Sequence, residues 1–494
     1  MSLLREQRLP PMNELASKYT SSIAHDQRIK NAVIDVNLAH VLSLLKAGWV
    51  NDRSCKKILN ALLKAKKELK LNYKLEDIHL CLESYVIKEA GREGGFLSLG
   101  RSRNDQVAAA IRLELRNEIL HLLEDMISFV KVLLDKAKEY NRSIMPAYTH
   151  LQPAQPTTVG HWLLSYVDAF FRDIERLQEA FERTNKSPLG SAALVGSRAC
   201  IDRKFVATLL GFEGIVENTM DAISSRDFVL DALHALSSLM LNISKLSQDI
   251  IHMSCQEVGY LHVPDEYVST SSIMPQKRNV VVAETARALS SIVISNLTAV
   301  YGVLKGLNQG YNLDFQEITW VLWQSMDKVS LTIRVFKNMI RGLKFNEEKM
   351  KKIVDEGFTT ATDLAEYLSI KLRMPFRDIY RAVGKAVAKA RKERSDFKEK
   401  LVREILRYLS TSFRRESVEL TYNTLYRITD PLLSLKEKKT TGGPNPKEVL
   451  RMINDRKRRL EKTKKWINGK RKIIEEGERL LKLEVRRVME VVDK

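Results

Sequence analysis

Between Ser269 and Asn279 the chain reads S-T-S-S-I-M-P-Q-K-R-N, which sets adjacent hydroxyls at Ser271 and Ser272 just ahead of Pro275, Lys277 and Asn279. No packing argument calls for such side chains between two long helix-like segments, and a loop of this kind usually exists for chemistry. A serine acts as a base only where a cation or dipole stabilises its alkoxide. Lys277 is placed to do that, or to hold a substrate carboxylate. Glu284, on the helix that follows, can pair with a histidine and raise its basicity.

Two further polar segments carry candidate residues. Gly100 to Gln106, G-R-S-R-N-D-Q, opens a helix, and amide donors at a helix start together with Arg101, Arg103 and Asn104 make a natural carboxylate site. The alternative is a plain N-cap with solvated arginines. In Tyr148 to Thr158, Y-T-H-L-Q-P-A-Q-P-T-T, two prolines exclude a regular helix and fix an extended turn, which holds His150 beside Thr149 on a stiff support. A lone histidine is more often a structural donor, but the company of the other two segments favours proton transfer. His161, His234 and His252 lie in helical stretches and read as structural. A phosphate-binding glycine loop, a G-x-S-x-G elbow and H-E-x-x-H are all missing from the sequence. Metal, nucleotide and acyl-transfer chemistry are therefore disfavoured, and no cofactor or metal is expected.

These segments need long elements to position them, and helical periodicity supplies them. Asn31 to Lys46 and Ser54 to Leu69 place apolar residues at spacings of three and four, as in a helical N-terminal unit whose last helix ends near Gly94-Gly95. Gln106 to Glu139, His161 to Asn185, Ser225 to Val258 and Val280 to Leu307 follow as long helices. Recurring helices of this length describe an extended bundle, and their wide apolar faces call for cover by neighbouring subunits. A smaller helical unit runs from Glu347 to Tyr426. The predicted domains are 1–99, 100–346 and 347–439, all helical, then a turn and basic tail over 440–494. With 21 glycines and 12 prolines in 494 residues, the balance is all-α.

After the turn T-T-G-G-P-N-P at Thr440 to Pro446, Ile453, Leu460, Ile467, Ile474, Leu481 and Val488 recur every seven residues. Their companion positions Lys457, Lys464, Arg471 and Glu478 are charged, and Asn468-Gly469 interrupts the pattern. An amphipathic helix docked on the body or on a partner subunit is favoured over a free coiled coil. Of the formal charge of +20, Leu435 to Lys494 contributes 20 Lys or Arg against 10 Asp or Glu. With no interleaved aromatics beyond Trp466, that tail is not expected to bind nucleic acid, although a basic-tail binding protein is a reading the charge permits. Cys55, Cys81, Cys200 and Cys255 form no C-x-x-C pair and suit reduced thiols in the cytoplasm. The N-terminus lacks an apolar core of signal-peptide length, and the apolar stretch Leu289 to Leu304 is broken by Ser, Asn and Tyr, so no membrane is expected.

Together the three segments resemble the signature regions of the fumarase/aspartase superfamily, and more closely those of the argininosuccinate lyase and delta-crystallin branch. The resemblance runs from Tyr19, in Y-T-S-S-I-A-H-D, to Met452, in G-G-P-N-P-K-E-V-L-R-M, and includes D-I-H at Asp77, S-P-L-G-S at Ser187, M-D-A-I-S-S-R-D-F at Met220 and A-T-D-L-A at Ala361. R-S-R-N-D-Q and Gln276 favour that branch. It implies a fumarase/aspartase-like fold and a cofactor-free, reversible elimination of argininosuccinate to arginine and fumarate in arginine biosynthesis. By motif, Ser271 abstracts the proton, Lys277 stabilises the resulting charge, and His150, supported by Glu284, protonates the leaving nitrogen. Ser22, Asn104, Thr149, Asn279, Tyr311 and Gln316 are implied substrate contacts, with Ser102, His79 and Arg103 close by. The resemblance further implies a homotetramer whose active sites form where three subunits meet.

Four departures stand out. The family's N-terminal W-G-G-R-F element is absent, Thr270 replaces a glycine, Val280 a proline, and Thr319 the lysine that the family uses to bind substrate. Losing that cation predicts a raised Michaelis constant or a changed substrate. A silent paralogue, or a fumarate-releasing lyase with another amine leaving group, are the companion readings.

Overall fold

In a computed structural model the protein is described over residues 9–392, 397–412 and 420–490. The short helix α1 (Glu14–Thr20) leads into α2 (Lys30–Lys46), α3 (Asp52–Glu68) and α4 (Ile78–Ala90), followed by a 3-10 stretch over Gly91–Ser98. The chain then enters α5 (Arg103–Glu139), whose 37 residues span about 55 Å. Its start is fixed by a capping box: Ser102 Oγ accepts from the Asn104 amide, and Asp105 reaches back to the Ser102 amide.

Strands β1 (Ile144–Thr149) and β2 (Gln152–Thr158) form an antiparallel hairpin in place of a simple extended turn. Pro146, Pro153 and Pro156 sit in this two-stranded ribbon, where every strand is an edge and a missing amide is tolerated. Thr158 caps α6 (Val159–Thr184) by accepting from the His161 amide. Short α7 (Arg203–Leu209) and α8 (Thr219–Ser224) precede α9 (Asp227–Ser254). Beyond β3 (Leu261–His262), β4 (Ser269–Thr270) pairs with β5 (Arg278–Asn279), and the chain continues into α10 (Val281–Leu304) and α11 (Phe315–Gly342).

Helices α5, α6, α9, α10 and α11 pack into one bundle. Its core is aromatic at intervals: Phe129, Phe170, Phe181, Phe228 and Phe336 are all fully buried. The α11 helix was not singled out from sequence, yet Phe315, Ile318, Leu322, Met326, Val329, Ile333, Phe336 and Ile340 mark its buried face at helical spacing. The first helices share this core through residues such as Ile34, Leu44, Ile58 and Leu62. After β6 (Lys344–Phe345), α12 (Glu347–Glu356) adds Met350 to the first core, and α13 (Ala361–Leu372), α14 (Phe376–Lys392), α15 (Phe397–Ser412) and α16 (Tyr422–Ile428) gather round a second core built on Leu364, Ile379, Val402 and Leu425.

Past α17 (Pro431–Glu437), α18 (Pro446–Glu490) returns along α5 and crosses α2, α3 and α7. The seven-spaced set from Ile453 to Val488 is buried against the chain's own body. Asn468-Gly469, which interrupts the heptad pattern in sequence, lies within the continuous helix. A helical glycine costs about 1 kcal/mol, and burial of Ile467 and Ile474 on either side outweighs it. Body carboxylates meet the tail's inner cations: Arg456 forks onto Asp168 at 2.9 and 2.8 Å, and Lys470 reaches Glu213 at 2.8 Å. Where α18 crosses the turn after α7, a Cβ on Gly477 would lie 2.4 Å from the Gly211 amide nitrogen, so only glycine permits the approach.

Candidate active site

One cavity of about 320 Å³ lies where the first helices meet α5 and α11. It brings together Ser22, His79, Arg103, Asn104, Tyr311 and Gln316 from four stretches of sequence. Ser102 does not line it, because its hydroxyl caps α5; the capping box takes the amide donors that sequence offered to a carboxylate.

Asp26, which sequence reasoning did not select, is the carboxylate at the floor of this cavity. It accepts from the Ile78 amide at 2.9 Å and from the Ser22 hydroxyl at 3.0 Å, and burial pushes its pKa up. Its only sequence signal is its place in Y-T-S-S-I-A-H-D. Arg103 places Nη1 2.9 Å from Asp77 and 3.2 Å from Glu76, leaving Nη2 buried without a partner. His79 is 6% exposed and neither ring nitrogen has a hydrogen-bond partner. Burial lowers its pKa, against the pull of Asp77 and Asp26. Buried polar groups are normally satisfied, so an orphaned imidazole in a polar cavity marks a group held ready for a ligand.

Other side chains in the cavity also bond to protein. Gln316 Nε2 donates to the Thr20 carbonyl at 3.0 Å, and Asn104 Nδ2 to that of Ala193 at 3.0 Å. Thr319 turns its hydroxyl back onto the Phe315 carbonyl of its own helix at 3.0 Å. Burial raises the Tyr311 pKa, with Arg226 opposing. Asp26, Glu76, Asp77 and Glu317 face Arg103 as the one permanent cation, so the cavity is acidic.

The remaining predicted residues lie elsewhere on the chain. Thr149 and His150 are exposed at the tip of the β1–β2 hairpin. His150 and Leu151 form a two-residue connection with φ of 53° and 57°. Positive φ at both positions is the demand of a type I′ turn, normally met by Asn-Gly, and holding it with His-Leu stores backbone strain. Below the tip, the Tyr148 and Tyr260 hydroxyls lie 2.6 Å apart and tie the hairpin to the segment entering β3.

Ser271 to Lys277 form the loop between β4 and β5, whose tip is exposed, Ile273 at 83%. Ser271 Oγ accepts from the amides of Ile273 at 3.3 Å and Met274 at 3.1 Å. The loop thus directs two of its own dipoles at this oxygen, where sequence suggested only Lys277. Among the described residues Lys277 forms no ion pair. Asn279 is half-buried in β5, and Glu284 is exposed on the first turn of α10, with no hydrogen bond or ion pair to His150 among the described residues. Within one chain, then, the predicted residues fall into three groups: cavity, hairpin tip, and loop with the start of α10.

Comparison with known proteins gives this arrangement a lineage. Residues 8–295 match the family described as Lyase, and residues 358–427 the family described as Argininosuccinate lyase C-terminal. Over 464 residues the chain is 39% identical to a protein named Argininosuccinate lyase from Methanosarcina mazei, covering 93% of this chain and 94% of that one. Over 492 residues it is 37% identical to the protein of that name from Methanocaldococcus jannaschii, covering 98% and 100%. Among solved structures it is similar to EDDS lyase in complex with formate (TM-score 0.87, 23% identity, covering 97% of this chain and 96% of that one). It is also similar to the class II fumarase from Schistosoma mansoni (TM-score 0.71, 17% identity, covering 86% and 95%). These two likenesses establish the fumarase/aspartase-like fold, and the relatives covered along nearly their whole length establish more: the chain belongs to the argininosuccinate lyase family.

Proposed function

We propose that this chain catalyses the reversible elimination of argininosuccinate to L-arginine and fumarate, and that its active site is completed by other copies of the same chain. The observation that carries the reading is the division of charge between the separated groups. The cavity offers four carboxylates, which suit the cationic arginine half. The β4–β5 loop and strand β5 offer Lys277 and Asn279, which suit the dianionic succinyl half.

In the forward direction Ser271, as its alkoxide, takes the proton from the succinyl carbon beside a carboxylate. The electron pair moves into that carboxylate and forms an aci-carboxylate, with Lys277 and Asn279 balancing its charge. The pair then returns to form the carbon–carbon double bond and the bond to the guanidino nitrogen breaks. His150, polarised by Glu284, protonates that nitrogen as it leaves. Ser22, Asn104, Tyr311, Gln316 and Thr149 would hold the substrate. The two amides on Ser271 Oγ lower the cost of its ionisation, a positioning effect the chain supplies by itself.

A homotetramer is the assembly we propose. The α10 helix is long and apolar enough to cross a membrane by length and composition alone, and only 17% of its most apolar window is buried within the chain. Ile292, Ile294 and Tyr301 of α10 and Leu331 of α11 stand exposed, a face that partner copies would cover. The cytoplasm is the proposed location. The test is fumarate release, followed by ultraviolet absorbance, from argininosuccinate. Turnover is expected, and Ser271→Ala is expected to lower kcat roughly 10²- to 10⁴-fold. No turnover by the unaltered protein at saturating substrate would reject the reading.

A further inference from the structure

We propose that His25 is the donor that receives the α-carboxylate of the arginine half of the substrate, in place of the lysine that the family carries at position 319. This rests on the assignment of the cavity to that half. An amino-acid end brings an amine and a carboxylate together. The amine and guanidinium find partners among Asp26, Glu76, Asp77 and Glu317, but the carboxylate meets a surface of its own sign.

Side-chain donors around it already hold bonds to protein. The Thr319 hydroxyl is returned to Phe315 and that of Ser22 to Asp26, while the Gln316 and Asn104 amides each place one N–H on a carbonyl, of Thr20 and of Ala193, and keep a single N–H for the substrate. Arg103 retains Nη2, but its guanidinium is pinned between Glu76 and Asp77, and His79 lies within the field of Asp26 and Asp77. His25 lines the same cavity. It is exposed to the cavity, its ring has no hydrogen-bond partner among the described residues, and it stacks on Trp320 with centroids 6.1 Å apart and planes 23° from parallel. Thr319 lines the same cavity as His25 and Trp320, so the imidazole and the position where the lysine is missing open onto one space. An imidazole donates one N–H when neutral and two when charged, which serves a carboxylate in either form.

The test is steady-state kinetics with argininosuccinate on the full chain. His25→Phe keeps a ring against Trp320 and removes the donors. It should raise KM about tenfold, the worth of one hydrogen bond to a charged group, while kcat stays within about twofold. Adding Thr319→Lys to His25→Phe should return KM close to its starting value, because the lysine restores a donor to the same cavity. A native KM in His25→Phe, or a raised KM that Thr319→Lys does not lower, overturns the inference. Unaltered protein that fails to turn over argininosuccinate rejects the substrate assignment itself, and this inference with it.

Discussion

Replacing Asp105 with asparagine should change how the protein's stability depends on pH, by an amount the structure sets. Asp105 is fully buried under the start of α5, where it accepts from the amides of Ser102 at 3.2 Å and Ala192 at 3.0 Å. Burial outweighs those bonds and the nearby Arg101, and pushes its pKa up to about 6 from an ordinary 3.8. The native state therefore keeps a proton that the unfolded chain gives up between about pH 4 and pH 6. Below that window both states are protonated and nothing is lost. As pH rises through it the native state loses, at 1.36 kcal/mol per pH unit, about 3 kcal/mol. With an unfolding entropy of about 2.1 cal/mol/K per residue over this length, that is about 3 °C in Tm. Asp105→Asn cannot ionise, but it turns an NH2 toward one of the two amide donors, a pH-independent cost of about 1–3 kcal/mol. In thermal scans from pH 4 to pH 7 the native protein should thus melt about 1–3 °C higher at the acid end, with that advantage shrinking by about 3 °C as pH rises, so that the variant matches or overtakes it near pH 7. An advantage that stays constant or grows with pH would refute the reasoning, since it would mean Asp105 is ionised in the native state at no cost.

Other consequences are equally direct. His79→Leu removes two unsatisfied ring nitrogens from a buried site, so it should leave Tm unchanged or raise it by about 1–2 °C while raising KM at least tenfold; a loss of Tm with normal KM would show the ring to be structural. Gly477→Val forces a side chain into the Gly211 backbone. It should cost about 2–3 kcal/mol and speed proteolysis within α18, read by Tm and limited digestion; unchanged digestion would mean the crossing relaxes freely.

The hairpin shows how far proline spacing reaches. Pro153 and Pro156 identified a non-helical support for His150, because a missing amide and a fixed φ are local properties. That the support is a ribbon with positive φ at His150 and Leu151 depends on β1 pairing with β2, which no single residue announces. The seven-residue recurrence from Ile453 to Val488 likewise announced a one-sided apolar face. Its occupant became visible only when α5 lay alongside, with Asp168 and Glu213 set opposite Arg456 and Lys470.

Sequence by itself determined the helical character, the apolar faces, the three chemical segments and, through their resemblance, the family. Each is written in short-range order: periodicity, caps, prolines and clustered polar residues. Tertiary structure decided which charges share a space. Asp26 became a cavity carboxylate because the Ile78 amide, 52 positions away, points at it, and Thr319 opens onto the same cavity as His25, which stacks on Trp320. Among the described residues it also gave Ser271 and His150 no hydrogen bond to each other within one chain. Electrostatic neighbours act through space over a few ångströms, and those distances exist only once the helices have packed.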